Sequence, residues 1–138
     1  MTNEAPMILY IDDDPDDLFI FSESIESIYP KAIMLIAQSA EKGLERLKDL
    51  EASENSSQLR LIIIDMNMPK MDGRETLKEI RKNTFWVNIP IVIFTTSSYP
   101  QDIEFCKNYG ADYVTKPISY ESLKEVVKQL LKKGGMVP

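Results

Sequence analysis

The chain has 138 residues, 43% hydrophobic and 28% charged, with 16 Lys and Arg against 22 Asp and Glu and no His, for a formal charge of −6. That length suits one domain with a buried core, and the acidic excess argues against a nucleic-acid surface. Without His the chain holds no Ser-His-Asp triad, no imidazole-bound metal and no phosphohistidine of its own; its single Cys106 excludes an internal disulfide and a multi-Cys zinc site.

Met1 to Pro6 lack the basic start and apolar run of a signal peptide. No stretch approaches the roughly 18 apolar residues of a membrane span. The expectation is a soluble, cytoplasmic single domain over residues 1–138, with its core at about 7–133. The first apolar run, Met7–Ile11, reads as a strand and is followed by Asp12, Asp13 and Asp14. Asp14-Pro15 is an N-cap followed by Pro at the first helical position, and Asp16 and Asp17 suit the positive end of the helix dipole. Leu18, Phe21, Ile25 and Ile28 then recur at helical spacing.

A second run, Ala32–Ala37, precedes a helix marked by Leu44, Leu47 and Leu50. Residues Glu51–Gln58 read as a solvated loop. The third run, Leu61–Ile64, ends at Asp65, within Asp65-Met66-Asn67-Met68-Pro69-Lys70-Met71-Asp72-Gly73. Asp72 is placed to cap the third helix, carrying Leu77 and Ile80, and Gly73 to permit a close approach. Met66, Met68 and Met71 are expected to pack the loop. The fourth run, Ile91–Phe94, is followed by Thr95, Thr96 and Ser97. A less regular helix around Ile103 and Cys106, with Phe105 on its exposed face, ends at Gly110. Tyr113–Thr115 is the fifth run, followed by Lys116-Pro117 and a last helix striped by Leu123, Val126, Val127, Leu130 and Leu131.

Five near-continuous Ile, Val and Leu runs alternating with five helices predict a parallel sheet buried on both faces, with right-handed crossovers. Functional groups in such sheets collect beyond the carboxyl ends of the strands. One edge therefore carries several carboxylates, hydroxyls and an ammonium. Crowded carboxylates repel and need a cation, and an all-oxygen donor set suits Mg²⁺. A carboxylate beside that cation can accept a phosphoryl group, with a Lys and a hydroxyl to receive the phosphoryl oxygens.

The order Asp12-Asp13, then Asp65 through Gly73, then Thr95, then Lys116-Pro117 closely resembles the CheY-like receiver domains of two-component response regulators, from about Ile8 to about Leu131. Phe94-Thr95-Thr96-Ser97 followed by Asp102-Ile103 is similar to the phytochrome-associated single-domain type. The resemblance implies a flavodoxin-like (βα)5 fold with strand order 2-1-3-4-5. It implies Asp65 as phosphoacceptor and Mg²⁺ held by Asp13 directly, Asp12 through water, Asp65, and the carbonyl of Asn67. Lys116 and Thr95 would bind the phosphate. Thr95 and Tyr113 would form the conformational switch, and Pro117 would follow a cis peptide bond. Asn67 and Ser97 match positions that tune dephosphorylation. The implied donor is a histidine kinase or histidine phosphotransfer protein, and the implied output is contact with an unidentified downstream protein by a monomer or weak homodimer. No nucleic-acid or membrane partner is expected.

Two other readings stand beside this one. Asp12 and Asp14 could be nucleophile and general acid of a small phosphatase resembling the haloacid dehalogenases, with Thr95 and Lys116 in support. That family needs an acidic pair on a further strand after the lysine, where this chain has only an amphipathic helix. The other reading is a receiver-like scaffold that takes no phosphate.

Overall fold

In the computed structural model, which describes residues 4–137, each predicted strand and helix is present. The strands are β1 (Met7–Ile11), β2 (Ile33–Ala37), β3 (Leu59–Ile64), β4 (Ile91–Thr95) and β5 (Asp112–Thr115). The helices are α1 (Pro15–Ile28), α2 (Ala40–Glu51), α3 (Gly73–Lys82), α4 (Pro100–Asn108) and α5 (Tyr120–Lys133). All strand pairs are parallel, and the order across the sheet is β2-β1-β3-β4-β5. The segment expected as a loop is more ordered than its polar composition implies. Helix α2 runs to Glu51 and a 3-10 turn forms at Ser56–Gln58.

Side chains alternate across the strands with period two, and each parity feeds one of two cores. Ile8, Tyr10, Leu61, Ile63, Val92 and Phe94 face α1 and α5, where Leu18, Phe21, Ile25, Val127 and Leu130 meet them. Leu9, Ile11, Ile62, Ile64 and Ile93 face the other side, under α2 and α3. Tyr10, Phe21 and Phe94 pack edge-on or tilted, with centroids 4.9 to 6.3 Å apart. Burial on both faces holds for β1, β3 and β4. It does not hold for β2 or β5, which are sheet edges and expose Ile33, Ile36 and Thr115.

The helix ends follow their sequence signals. Asp14 accepts from the Asp16 N–H, and Pro15 opens α1. Asp72 and Glu75 form a reciprocal capping box on α3. Helix α4 closes at Gly110, φ 67°, with Ala111 N–H bonded to Cys106 O and Gly110 N–H to Lys107 O. Arg81 reinforces that end, donating to the carbonyls of Tyr109, Gly110, Trp86 and Ile89 at 2.7 to 3.0 Å. No side chain caps the other end of α4, at Tyr99.

Two expectations are corrected here. The Lys116–Pro117 bond is trans, since no cis peptide occurs among the described residues; proline lowers the trans preference to about 0.5–1 kcal/mol but does not reverse it. Phe105 is half-buried, lying between the Arg74 guanidinium (4.4 Å from the ring centroid) and the Tyr109 ring (4.8 Å).

Gly73 carries a steric duty. A Cβ there would lie 2.6 Å from Asp65 O and 2.8 Å from Met66 Cα, both backbone atoms. Gly73→Ala is therefore expected to lower unfolding free energy by about 1–3 kcal/mol, measured by urea denaturation. A midpoint equal to wild type would mean that the loop yields freely.

Candidate functional site

The sheet continues its ladder one residue past three strands. Asp12 N–H bonds to Ala37 O, Asp65 N–H to Ile11 O, and Lys116 N–H to Thr95 O, at 2.7 to 3.0 Å. Each of these residues is thereby fixed by backbone before its side chain acts. Their parity is that of Tyr10, Ile63 and Val114, so their side chains start out on the α1 and α5 side of the sheet. There they line a cleft of about 450 Å³ with Asp13, Asp14, Pro15, Asp17, Asn67 and Thr96.

Carboxylate oxygens of Asp12, Asp13 and Asp65 lie within 4.8 Å of one another. Asp12 is fully buried and both of its oxygens are engaged. Its Oδ2 accepts from Tyr10 Oη and from Lys116 Nζ, both at 2.7 Å, and its Oδ1 from the Asp14 N–H at 3.0 Å. Burial first, and then the charge of Asp12, raise the Tyr10 pKa far above the ordinary tyrosine value, so the phenol remains a donor. Lys116 also donates to Asp17 Oδ2 at 2.8 Å and sits 3.3 Å from Asp65 Oδ1. Burial alone would lower the lysine pKa, but hydrogen bonds to Asp12 and Asp17 outweigh it and the net shift is upward. Asp65 is pushed from 3.8 up to about 6, by burial and then by the Asp12 charge, against the opposing pull of Lys116.

The site thus brings together Asp12, Asp13, Asp65, Asn67 and Lys116. Thr95 does not line the cleft. It has the opposite parity, is fully buried, and its Oγ1 lies 3.4 Å from Ser97 Oγ. Tyr113 shares that side and donates from Oη to Ser97 O. The neighbouring Thr96 lines the cleft instead. Pro117 lines a neighbouring apolar cleft of about 300 Å³ with Tyr10, Ile20 and Phe94.

Two residues escaped the sequence reading. Tyr10 lies two positions before Asp12, hence on the same face of one strand, and a phenol inside an apolar run was the available signal. Asp17 was assigned to the helix dipole; nothing local in the sequence points it at a lysine 99 positions away.

The chain belongs to the response regulator receiver domain family, whose model matches residues 8–128. It is 29% identical over 128 residues to Response regulator Rcp1 of Synechocystis, covering 92% of this chain and 87% of that protein. A Mn²⁺-bound structure of Rcp1 aligns with TM-score 0.74 and 26% identity over 92% of each chain. The phosphorylated cyanobacterial phytochrome response regulator RcpA aligns with TM-score 0.81 and 26% identity, covering 94% of this chain and 93% of that one. A probable cyclic di-GMP phosphodiesterase of Vibrio cholerae is 32% identical over 121 residues, 87% of this chain but 25% of that protein. The chain is therefore a receiver domain of two-component signalling, and it spans from 15% to 87% of the length of the curated relatives it matches. No described helix is long and apolar enough to cross a membrane.

The Asp65 shift has a sign that can be checked. A carboxyl whose folded pKa lies above its unfolded value stabilises the fold below the unfolded value and loses that contribution as pH rises. The metal-free protein should lose up to about 3 kcal/mol from this group between about pH 4 and pH 6. Asp65→Asn should flatten that decline and be the more stable form at pH 7 in chelator, as read by urea denaturation. A variant less stable than wild type there would refute the electrostatic account.

Proposed function

We propose that Asp65 accepts a phosphoryl group from a phosphohistidine on a partner histidine kinase or histidine phosphotransfer protein. The reading is carried by the convergence of three carboxylates with one half-buried ammonium at the carboxyl edge of the sheet. An Asp65 oxygen forms the bond to phosphorus as the donor's phosphorus–nitrogen bond breaks. The imidazole leaves with that electron pair and is reprotonated from solvent.

The crowded, all-oxygen donor set fits Mg²⁺. Asp13, Asp65 and the carbonyl of Asn67 would hold it directly, and Asp12, whose oxygens are already engaged, through water. When bound, the cation offsets the charge of the carboxylates and of the arriving phosphoryl. Lys116 supplies the protein's own positive charge to the phosphoryl oxygens. Thr95 would have to rotate away from Ser97 to reach a phosphoryl oxygen. Because Tyr113 holds the Ser97 carbonyl, that rotation would disturb its ring and couple the site to α4 and β5. Two such packings, biased by phosphate, are what a switch requires.

In this reading residues 1–138 are a single receiver domain, with its core at about 7–133, acting alone in the cytoplasm as a monomer or weak homodimer. Its output is contact with another protein. The near-complete match to Rcp1 supports a stand-alone regulator. The domain catalyses only its own phosphorylation and dephosphorylation. A phosphatase reading is disfavoured because Asp14, its general acid, is engaged in capping α1.

Acetyl phosphate with Mg²⁺ should add one phosphoryl group to the intact chain, and Asp65→Ala should abolish the gain while keeping the native circular dichroism. Turnover of small phosphomonoesters would favour a phosphatase, and no labelling at all a scaffold. Lys116→Ala should retain Mg²⁺ binding but respond more weakly to phosphorylation; a full response would remove its assigned role. Below about pH 6, Mg²⁺ affinity should fall by up to about tenfold per pH unit as protons compete for Asp65, measured by titration calorimetry.

A further inference from the structure

We propose that Asp17 is a positioning residue that parks the Lys116 ammonium and thereby restrains phosphoryl acceptance at Asp65. The inference rests on the acceptor reading above and adds the group that sets how readily the lysine is released. Lys116 Nζ lies 2.7 Å from Asp12 Oδ2 and 2.8 Å from Asp17 Oδ2, but 3.3 Å from Asp65 Oδ1. The acceptor is third in line for Lys116, the one cation among the described residues that line the cleft.

The two nearer carboxylates differ in kind. Asp12 is buried and held by Tyr10 and a backbone N–H, so its pairing with Lys116 belongs to the fixed frame of the site. Asp17 stands in the first turn of α1, after the Asp14 cap and Pro15, with its side chain 38% exposed. Water can replace Lys116 at Asp17, whereas water has little access to Asp12. A phosphoryl group on Asp65 draws the ammonium toward its oxygens, and the contact surrendered is the one to Asp17. Because that pair is partly exposed it is weak, which suits a restraint that yields rather than one that blocks.

The test is the initial rate of labelling by acetyl phosphate at fixed Mg²⁺, with the intact chain. Asp17→Asn should label about three- to fivefold faster than wild type, and Asp17→Glu, which keeps the acid, at close to the wild-type rate. Asp17 also repels an anionic donor directly, so the same substitution is made beside Lys116→Met. Acting through the lysine, Asp17→Asn should lose its effect in that background; an acceleration of full size there overturns the proposal. If Lys116→Met does not label, the single variants decide: Asp17→Asn no faster than wild type, or Asp17→Glu as fast as Asp17→Asn, overturns it. Labelling that survives Asp65→Asn would instead bring down the acceptor reading, which is a separate failure.

Discussion

A lysine surrounded by three carboxylates, with a fourth at the rim, is the arrangement on which this domain's chemistry depends. Lys116 cannot neutralise Asp12, Asp17, Asp65 and Asp13 together, so the site keeps an excess of negative charge in a half-enclosed space. Burial first, and then that excess, lift the Asp65 pKa, and the excess calls for a cation. Burial strengthens both terms, because low solvent access raises the cost of an unpaired charge and the value of a paired one. A site so charged is costly to maintain without a compensating cation.

The sheet is what makes such crowding tolerable. Backbone bonds carry Asp12, Asp65 and Lys116 one step beyond their strands, so the groups are held by the ladder rather than by their mutual attraction. Alternation then sorts the functional residues: acids and ammonium fall on the α1 and α5 side, Thr95 and Tyr113 on the other. On the function proposed above, acceptance of phosphate and transmission of its effect would occupy opposite faces of one sheet, joined through the short segment from Thr95 to Ser97. Tyr10 binds the aromatic core to Asp12, so packing around Phe21 and Phe94 bears directly on the position of an acid.

The element order and most of the residues that converge at the cleft were legible because they depend on local pattern. Runs of Ile and Val, an Asp-Pro cap and acids just past strand ends need no knowledge of distant contacts. What was not legible depends on distant geometry. The exposure of β2 and β5 follows from their place at the sheet edges, which composition does not encode. Asp17 looked like a helix-dipole residue because its partner arrives from the far end of the chain. Phe105 looked exposed because the Arg74 that covers it belongs to another helix. The trans bond before Pro117 is a choice between two close-lying isomers that the residue itself leaves open.

Helix α4 is secured very unequally. At Gly110 it has a two-bond backbone closure and a guanidinium that ties the carbonyls of Tyr109 and Gly110 to those of Trp86 and Ile89, whereas at Pro100 it has no side-chain cap. Mechanically it is a cantilever, clamped most firmly at the end remote from the acids and held more lightly where it adjoins Thr95 and Ser97, by the Arg74–Asp102 ion pair at 3.6 Å. A small push delivered at that more lightly held tip would swing the rod about its mounting instead of sliding it bodily, and the displacement would be greatest beside the place where the push originates.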